Sequence, residues 1–304
     1  MPFLYWLESI RNPFLDTFFS LITHLGSETL FIVIAIVTFW CVSKKMGYYL
    51  MTVGFFGTLI NQFLKLICRI PRPWVRDPNF TIVEAARADA TGYSFPSGHT
   101  QSVTAVLGCP ARYAKNTALR VVCIVLIALT ALSRMYLGVH TPADVGVSLV
   151  LGTAMVFAFY PLFAKADEKP ARMYAAMGAL FVLSIAYVIF CEVHTWPADM
   201  DAYNMEHGIE NGYLLLGCSA AMLLSCWIEQ KYIRFEEKAS LPVQLVKVVV
   251  GLALVLAIKE GMKPVLNAIF GGHPFARSVR YFLMVMFAAC VWPMTFGWLQ
   301  KKMK

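Results

Sequence analysis

The chain has 304 residues, 59% of them hydrophobic and 14% charged, with a formal net charge of +8. A soluble domain carries about half apolar and a quarter charged residues, so this balance excludes an ordinary water-soluble fold and predicts a polytopic membrane protein. The basic residues form no stripe with interleaved aromatics, which argues against a nucleic-acid partner.

Taken in chain order, residues 3–25 set Trp6, Phe14, Phe18 and Phe19 against Glu8, Arg11 and Asp16, the pattern of an amphipathic helix lying in the membrane interface. No basic region followed by a cleavable apolar core precedes them, so this segment is expected to be retained. Nine spans follow, at 28–43, 46–67, 99–114, 117–137, 143–164, 172–192, 211–229, 243–262 and 280–299. Some fall short of the ~20 residues that comfortably cross hydrocarbon. The span 99–114 is the weakest, because Pro110 and its polar start are tolerated only inside a bundle. The fold class expected is all-α: a polytopic transmembrane helical bundle of about nine spans. Its expected organisation is an interfacial segment at 1–27, a transmembrane core at 28–192, and an outer loop with additional spans at 193–304. The eight cysteines, at 41, 68, 109, 123, 191, 218, 226 and 290, fall almost entirely in apolar runs without Cys-x-x-Cys spacing and read as small buried hydrophobes.

Loop charges set the expected orientation. Lys44, Lys45, Arg112, Lys115, Arg120, Lys165, Lys169, Arg172, Lys231, Arg234, Lys238, Lys301, Lys302 and Lys304 are 14 of the 26 basic residues and alternate onto one side. That side is cytoplasmic by the positive-inside rule. The acidic stretch 192–210 then faces outward, as does the Arg-rich loop carrying Arg69, Arg72, Arg76 and Arg87, a local violation that a functional need for cations explains.

Three polar clusters interrupt the apolar runs, and an ionisable group at membrane depth is a functional-site hypothesis by default. Lys65 and Arg72 are seven residues apart, within ~20° of one helical face. Pro71 and Pro73 end the helix there, leaving Arg72 at its mouth. Arg offers a planar fork for phosphate oxygens and Lys a point charge; the competing reading is a Lys65 that snorkels to the headgroups. Pro96-Ser97-Gly98-His99 opens a helix, where free N–H groups and the dipole favour an anion, or where Ser97 is an ordinary cap. His140 and Asp144 share a helical face. Asp144 can accept from one ring nitrogen and leave the other to attack, or the two are a structural capping pair. Arg134 ends the preceding span within reach.

Together the pattern reads Lys65-x6-Arg72-Pro73, Pro96-Ser97-Gly98-His99 and Ser133-Arg134-x5-His140-x3-Asp144. It resembles the type-2 phosphatidic acid phosphatase superfamily, whose fold is shared with bacterial acid phosphatases and vanadium haloperoxidases, over roughly residues 45–160. The resemblance implies a six-helix phosphatase core with extra C-terminal spans, everything after 165 lying outside it. It implies His140 as the nucleophile forming a phosphohistidine, Asp144 as its orienting partner and His99 as the general acid. Lys65, Arg72, Ser97, Gly98 and Arg134 are implied as the phosphate clamp. No metal and no cofactor are implied. The expected activity is hydrolysis of a membrane lipid phosphate or pyrophosphate (undecaprenyl pyrophosphate, phosphatidylglycerol phosphate or phosphatidic acid) in a bacterial cytoplasmic membrane, with the site facing the non-cytoplasmic side. A glucose-6-phosphatase-like soluble ester phosphatase and a lipid phosphotransferase are the alternatives, and a channel gives the three motifs no reason to exist. His194, Asp199, Asp201, Glu206 and His207 could assemble an outer metal site, but loop residues of this kind are more often solvated. Lys259, Glu260, Lys263, Arg277 and Arg280 read as interfacial anchors or as a site for a second phosphate.

Overall fold

The structure, a computed structural model, describes residues 1–303. Among the described residues the chain is helical throughout, with no strand: α1 (Pro2–Ser9), α2 (Pro13–Thr23), α3 (Glu28–Val37), α4 (Lys44–Cys68), α5 (Pro73–Arg76), α6 (Gly98–Tyr113), α7 (Thr117–Tyr136), α8 (Pro142–Ala164), α9 (Pro170–Val193), α10 (Ala202–Ile228), α11 (Leu241–Ile269), α12 (Phe275–Met286) and α13 (Phe296–Lys302). All nine spans read from the sequence lie on helix. Seven helical stretches are long and apolar enough to cross a membrane, and an eighth arises if the segments Pro13–Gly26 and Glu28–Val42, bent by 52°, form one span. The remaining segment, α6, has 16 residues and carries Pro110. The chain is an integral membrane protein.

Helix ends follow their chemistry. Asn12 caps α2, accepting from the Leu15 amide at 3.1 Å, and Pro13 fills the first position, where a missing N–H costs nothing. Asn116 caps α7 by accepting from the amides of Ala118 and Leu119. The α4 helix stops at Cys68 because Arg69 turns to φ +48° and two prolines follow.

The chain divides into two compact units. The first comprises residues 1–32, 56–161 and 195–208. In it α6 packs along α7, and α1 and α2 pack against the C-terminal end of α7. The amphipathic pattern at 3–25 is two helices, broken at Asn12-Pro13, and part of its apolar surface joins a protein core. Leu4, Leu7 and Phe19 bury against Phe80, Tyr136, Leu137 and Val139, while Trp6, Phe14 and Leu21 stay exposed. Close backbone approach comes from glycine. A Cβ at Gly57 in α4 would lie 2.5 Å from Gln101 Nε2, and one at Gly152 in α8 would lie 2.7 Å from Thr104 Cγ2.

The second unit comprises residues 33–55, 162–194 and 209–304. Two indoles tie its helices. Trp40, in a π-helical turn after α3, donates to the Ala288 carbonyl at 2.7 Å, and Trp292 donates to that of Lys247 at 3.0 Å. Lys247 is fully buried and satisfied by the carbonyls of Glu236 and Glu237, both at 3.2 Å. Lys44 pairs with the buried Glu229 at 2.7 Å and donates to the Phe235 carbonyl. A buried ion pair of this kind is costly to break, because one partner's loss strands the other charge.

Candidate active site

The three motifs converge within the first unit. The last turn of α4 supplies Lys65, the following proline-rich turn supplies Arg72, the start of α6 supplies Ser97, Gly98 and His99, the end of α7 supplies Arg134, and the turn into α8 supplies His140 and Asp144. Lys65, Arg72, Ser97, Arg134, His140 and Asp144 are all buried.

His140 sits between a cation and a carboxylate. Nη1 of Arg72 lies 2.9 Å from its Nε2, and Oδ2 of Asp144 lies 3.5 Å from its Nδ1. That carboxylate oxygen is fixed in turn by the Ser94 hydroxyl at 2.6 Å and the Thr141 amide at 2.7 Å. The His140 and Val139 amides both donate to the Arg134 carbonyl, at 3.2 and 3.1 Å, which ties the His140 turn to the end of α7. Burial, then the charges of Arg72, Arg134 and Lys65, push the His140 imidazole well below its ordinary range.

The cations differ in how they are engaged. Arg72 donates from Nε to the Gly92 carbonyl at 3.1 Å, from Nη1 to that of Val139 at 2.9 Å and from Nη2 to that of Thr91 at 2.6 Å. Lys65 Nζ donates to the Tyr93 carbonyl. Both therefore organise the 91–93 loop, and most of the Arg72 fork is spent on backbone. Arg134 donates from Nη1 to the Thr23 hydroxyl at 2.7 Å, and its buried Nε and Nη2 make no hydrogen bond.

At the start of α6, Ser97 Oγ accepts from the Thr100 amide and hydroxyl at 3.4 and 3.0 Å. Its own hydrogen remains to be donated, so the cap and the anion contact are compatible. The Ser97 amide donates to the Asp144 carbonyl at 3.2 Å, and Ser148 Oγ bridges the carbonyls of Ser97 and Asp144, locking the second motif to the third. His99 is near enough to feel the charges of Arg134, His140 and Arg72, and its buried Nε2 has no hydrogen-bond partner. Gly98 heads the helix, 3.9 Å (from where a Cβ would stand) to Asn61 Oδ1.

Sequence reasoning missed Ser94, Thr141, Ser148, Thr23 and Asn61, which hold the motif residues without belonging to a charged cluster. Asn61, one turn before Lys65, carries the readable signal of an amide in an apolar run; it donates to the Pro96 carbonyl at 3.3 Å. From the outer stretch, Asp199 lies 3.9 Å from Arg69 and His207 lies 3.1 Å from Thr91 Oγ1. Among the described residues no three His, Cys, Asp or Glu side chains group as metal ligands.

Residues 45–168 match the model of the PAP2 superfamily, and residues 213–304 match that of the transmembrane extension of PAP2 superfamily phosphatases. The chain belongs to the PAP2 superfamily. The spans after 165, expected to lie outside the resemblance, are thus in large part a recognised extension of it. A probable sphingosine-1-phosphate phosphatase of Dictyostelium discoideum is 27% identical over 76% of this chain and 58% of its own length. Human sphingosine-1-phosphate phosphatase 2 is 23% identical over 83% of this chain and 65% of its own. The undecaprenyl-diphosphatase BcrC of Bacillus subtilis is 34% identical over 39% of this chain and 58% of its own. The chain therefore spans less than two thirds of the length of each of these relatives. No solved structure matches it.

Proposed function

We propose that this chain is an integral-membrane phosphatase that hydrolyses a lipid phosphate or pyrophosphate through a phosphohistidine on His140, without a metal. The observation that carries the reading is the environment of the His140 ring. Arg72 can only donate, so in this arrangement Nε2 accepts and the ring proton sits on Nδ1, toward Asp144. The lone pair is then on the nitrogen beside the cations that attract a phosphoryl group.

In the first step Nε2 attacks phosphorus and the P–N bond forms as the P–O bond to the lipid breaks. Asp144 stabilises the positive charge that develops on the ring, and His99, protonated when the substrate's phosphate dianion is bound beside it, gives its proton to the departing alkoxide. In the second step water attacks phosphorus, His99 takes the water proton, and the P–N bond breaks to release inorganic phosphate. Phosphoryl transfer calls chiefly for positioning and charge stabilisation, which Lys65, Arg72, Arg134 and the α6 amides supply. A lipid substrate is supported by the membrane setting and by relatives named for sphingosine-1-phosphate and undecaprenyl diphosphate. Loop charge supports an outward-facing site.

The test is phosphate release by purified protein in detergent, with EDTA present, across sphingoid, glycerolipid and polyprenyl phosphates and glucose 6-phosphate. Turnover of a lipid phosphate in EDTA is expected. Activity that vanishes on chelation and returns with a divalent ion contradicts the metal-free mechanism, and activity confined to glucose 6-phosphate contradicts the lipid assignment.

A further inference from the structure

The segment Thr23–Gly26 lies outside both family matches, yet it touches two of the site residues. Thr23, 3% exposed, ends α2 and accepts the 2.7 Å hydrogen bond from Nη1 of Arg134. The unpartnered nitrogens of Arg134, Nε and Nη2, carry parallel N–H bonds on one edge of the guanidinium, the edge that grips two oxygens of a phosphate. Thr23 therefore occupies the nitrogen that this grip leaves over. At Gly26 a Cβ would stand 2.4 Å from the His99 carbonyl oxygen and 2.9 Å from its carbon. That is backbone against backbone, so only glycine lets the segment seat the first turn of α6.

We infer that Thr23 is a positioning residue for phosphoryl transfer: it anchors Nη1 of Arg134 so that the Nε/Nη2 edge faces the phosphate, while Gly26 seats His99 beside it. The inference rests on the phosphatase reading above. The alternative is that Thr23 only satisfies a buried donor. The two differ in how they combine with loss of Arg134, since residues acting through one interaction are not additive.

The experiment measures kcat and KM of the detergent-solubilised full chain on a lipid monophosphate. It compares wild type, Thr23→Val, Thr23→Ser, Arg134→Ala and the Thr23→Val/Arg134→Ala double variant. Loss of a hydrogen bond to a charged group predicts a fall of about tenfold or more in kcat/KM for Thr23→Val. Thr23→Ser should recover most of it, and Thr23→Val should add nothing once Arg134 is gone. An equal penalty in both backgrounds overturns the inference. Should Thr23→Val not elute as folded protein, Thr23→Ala goes through the same cycle. Gly26→Ala gives an independent reading: by displacing His99 it should slow an alkyl phosphate more than an activated aryl phosphate, and equal slowing contradicts its assigned part. Wild-type protein that turns over no phosphate ester refutes the phosphatase reading itself. An active wild type whose Thr23→Val variant keeps full kcat/KM refutes only the role of Thr23.

Discussion

Nη1 of Arg72 lies 2.9 Å from Nε2 of His140, and because a guanidinium has no acceptor this one contact assigns the ring's tautomer. The proton is left on Nδ1, 3.5 Å from an Asp144 oxygen that Ser94 and Thr141 already hold. Under the proposed mechanism, this one pair sets which nitrogen attacks and which is stabilised.

Asp144→Asn should lower kcat by roughly 10²–10⁴-fold, the range for groups that orient or exchange protons in such sites. KM should change less, because the Asp144 carboxylate is held by Ser94 and Thr141 beside the His140 ring and makes no hydrogen bond to Lys65, Arg72 or Arg134. Steady-state kinetics on a lipid monophosphate check this, and a variant with wild-type kcat would remove Asp144 from its role.

His140 lies in the turn between α7 and α8, and its lowered imidazole sets a pH limb. A ring shifted downward stays neutral as pH falls through 6.5 and loses nucleophilicity only further down. The acid limb of kcat/KM, corrected for the substrate's own ionisation and read with an activated aryl phosphate, should lie below pH 6.5. Arg72→Gln removes one of the lowering charges, so the same limb should move upward in that variant. A wild-type limb at or above the ordinary histidine value contradicts the environment described.

Much of this was legible in the sequence, and the reasons differ by residue. Lys65, Arg72, Arg134, His140 and Asp144 stand out because a charge in an apolar run needs a reason. Ser94 and Thr23 do not, since a small hydroxyl residue has many ordinary uses. The carbonyls of Thr91, Gly92 and Tyr93 that Arg72 and Lys65 hold have no side-chain signature at all. Hydropathy located the spans and the amphipathic N-terminus, but it could not single out Leu4, Leu7 and Phe19 as the residues of that segment that join a protein core. The π-helical turns at Thr38–Val42 and Phe287–Val291 leave no periodic trace in the sequence.

His99→Ala should cost about 10²–10⁴-fold on an alkyl lipid phosphate, whose alkoxide needs a proton, and much less on an activated aryl phosphate, whose leaving group is stable as an anion. Comparing kcat for the two substrates in wild type and variant gives the answer. Equal losses on both would assign His99 to phosphate binding instead.

The proposed outward orientation predicts opposite labelling of two exposed loop positions in a Cys68→Ala background, Cys68 being itself exposed. Ala88→Cys should react with a membrane-impermeant maleimide in intact cells, and Ser240→Cys should react only after permeabilisation. The reverse pattern would turn the site toward the cytoplasm.

The most direct test of the central claim is to trap the covalent intermediate. Wild-type protein is mixed with radiolabelled substrate, quenched at alkaline pH to preserve a phosphoramidate, and digested to map the label. The label should fall on the peptide containing His140 and be absent from His140→Ala, which should show no turnover. Label on another residue, or near-normal turnover by folded His140→Ala, would contradict the assignment of His140 as the nucleophile.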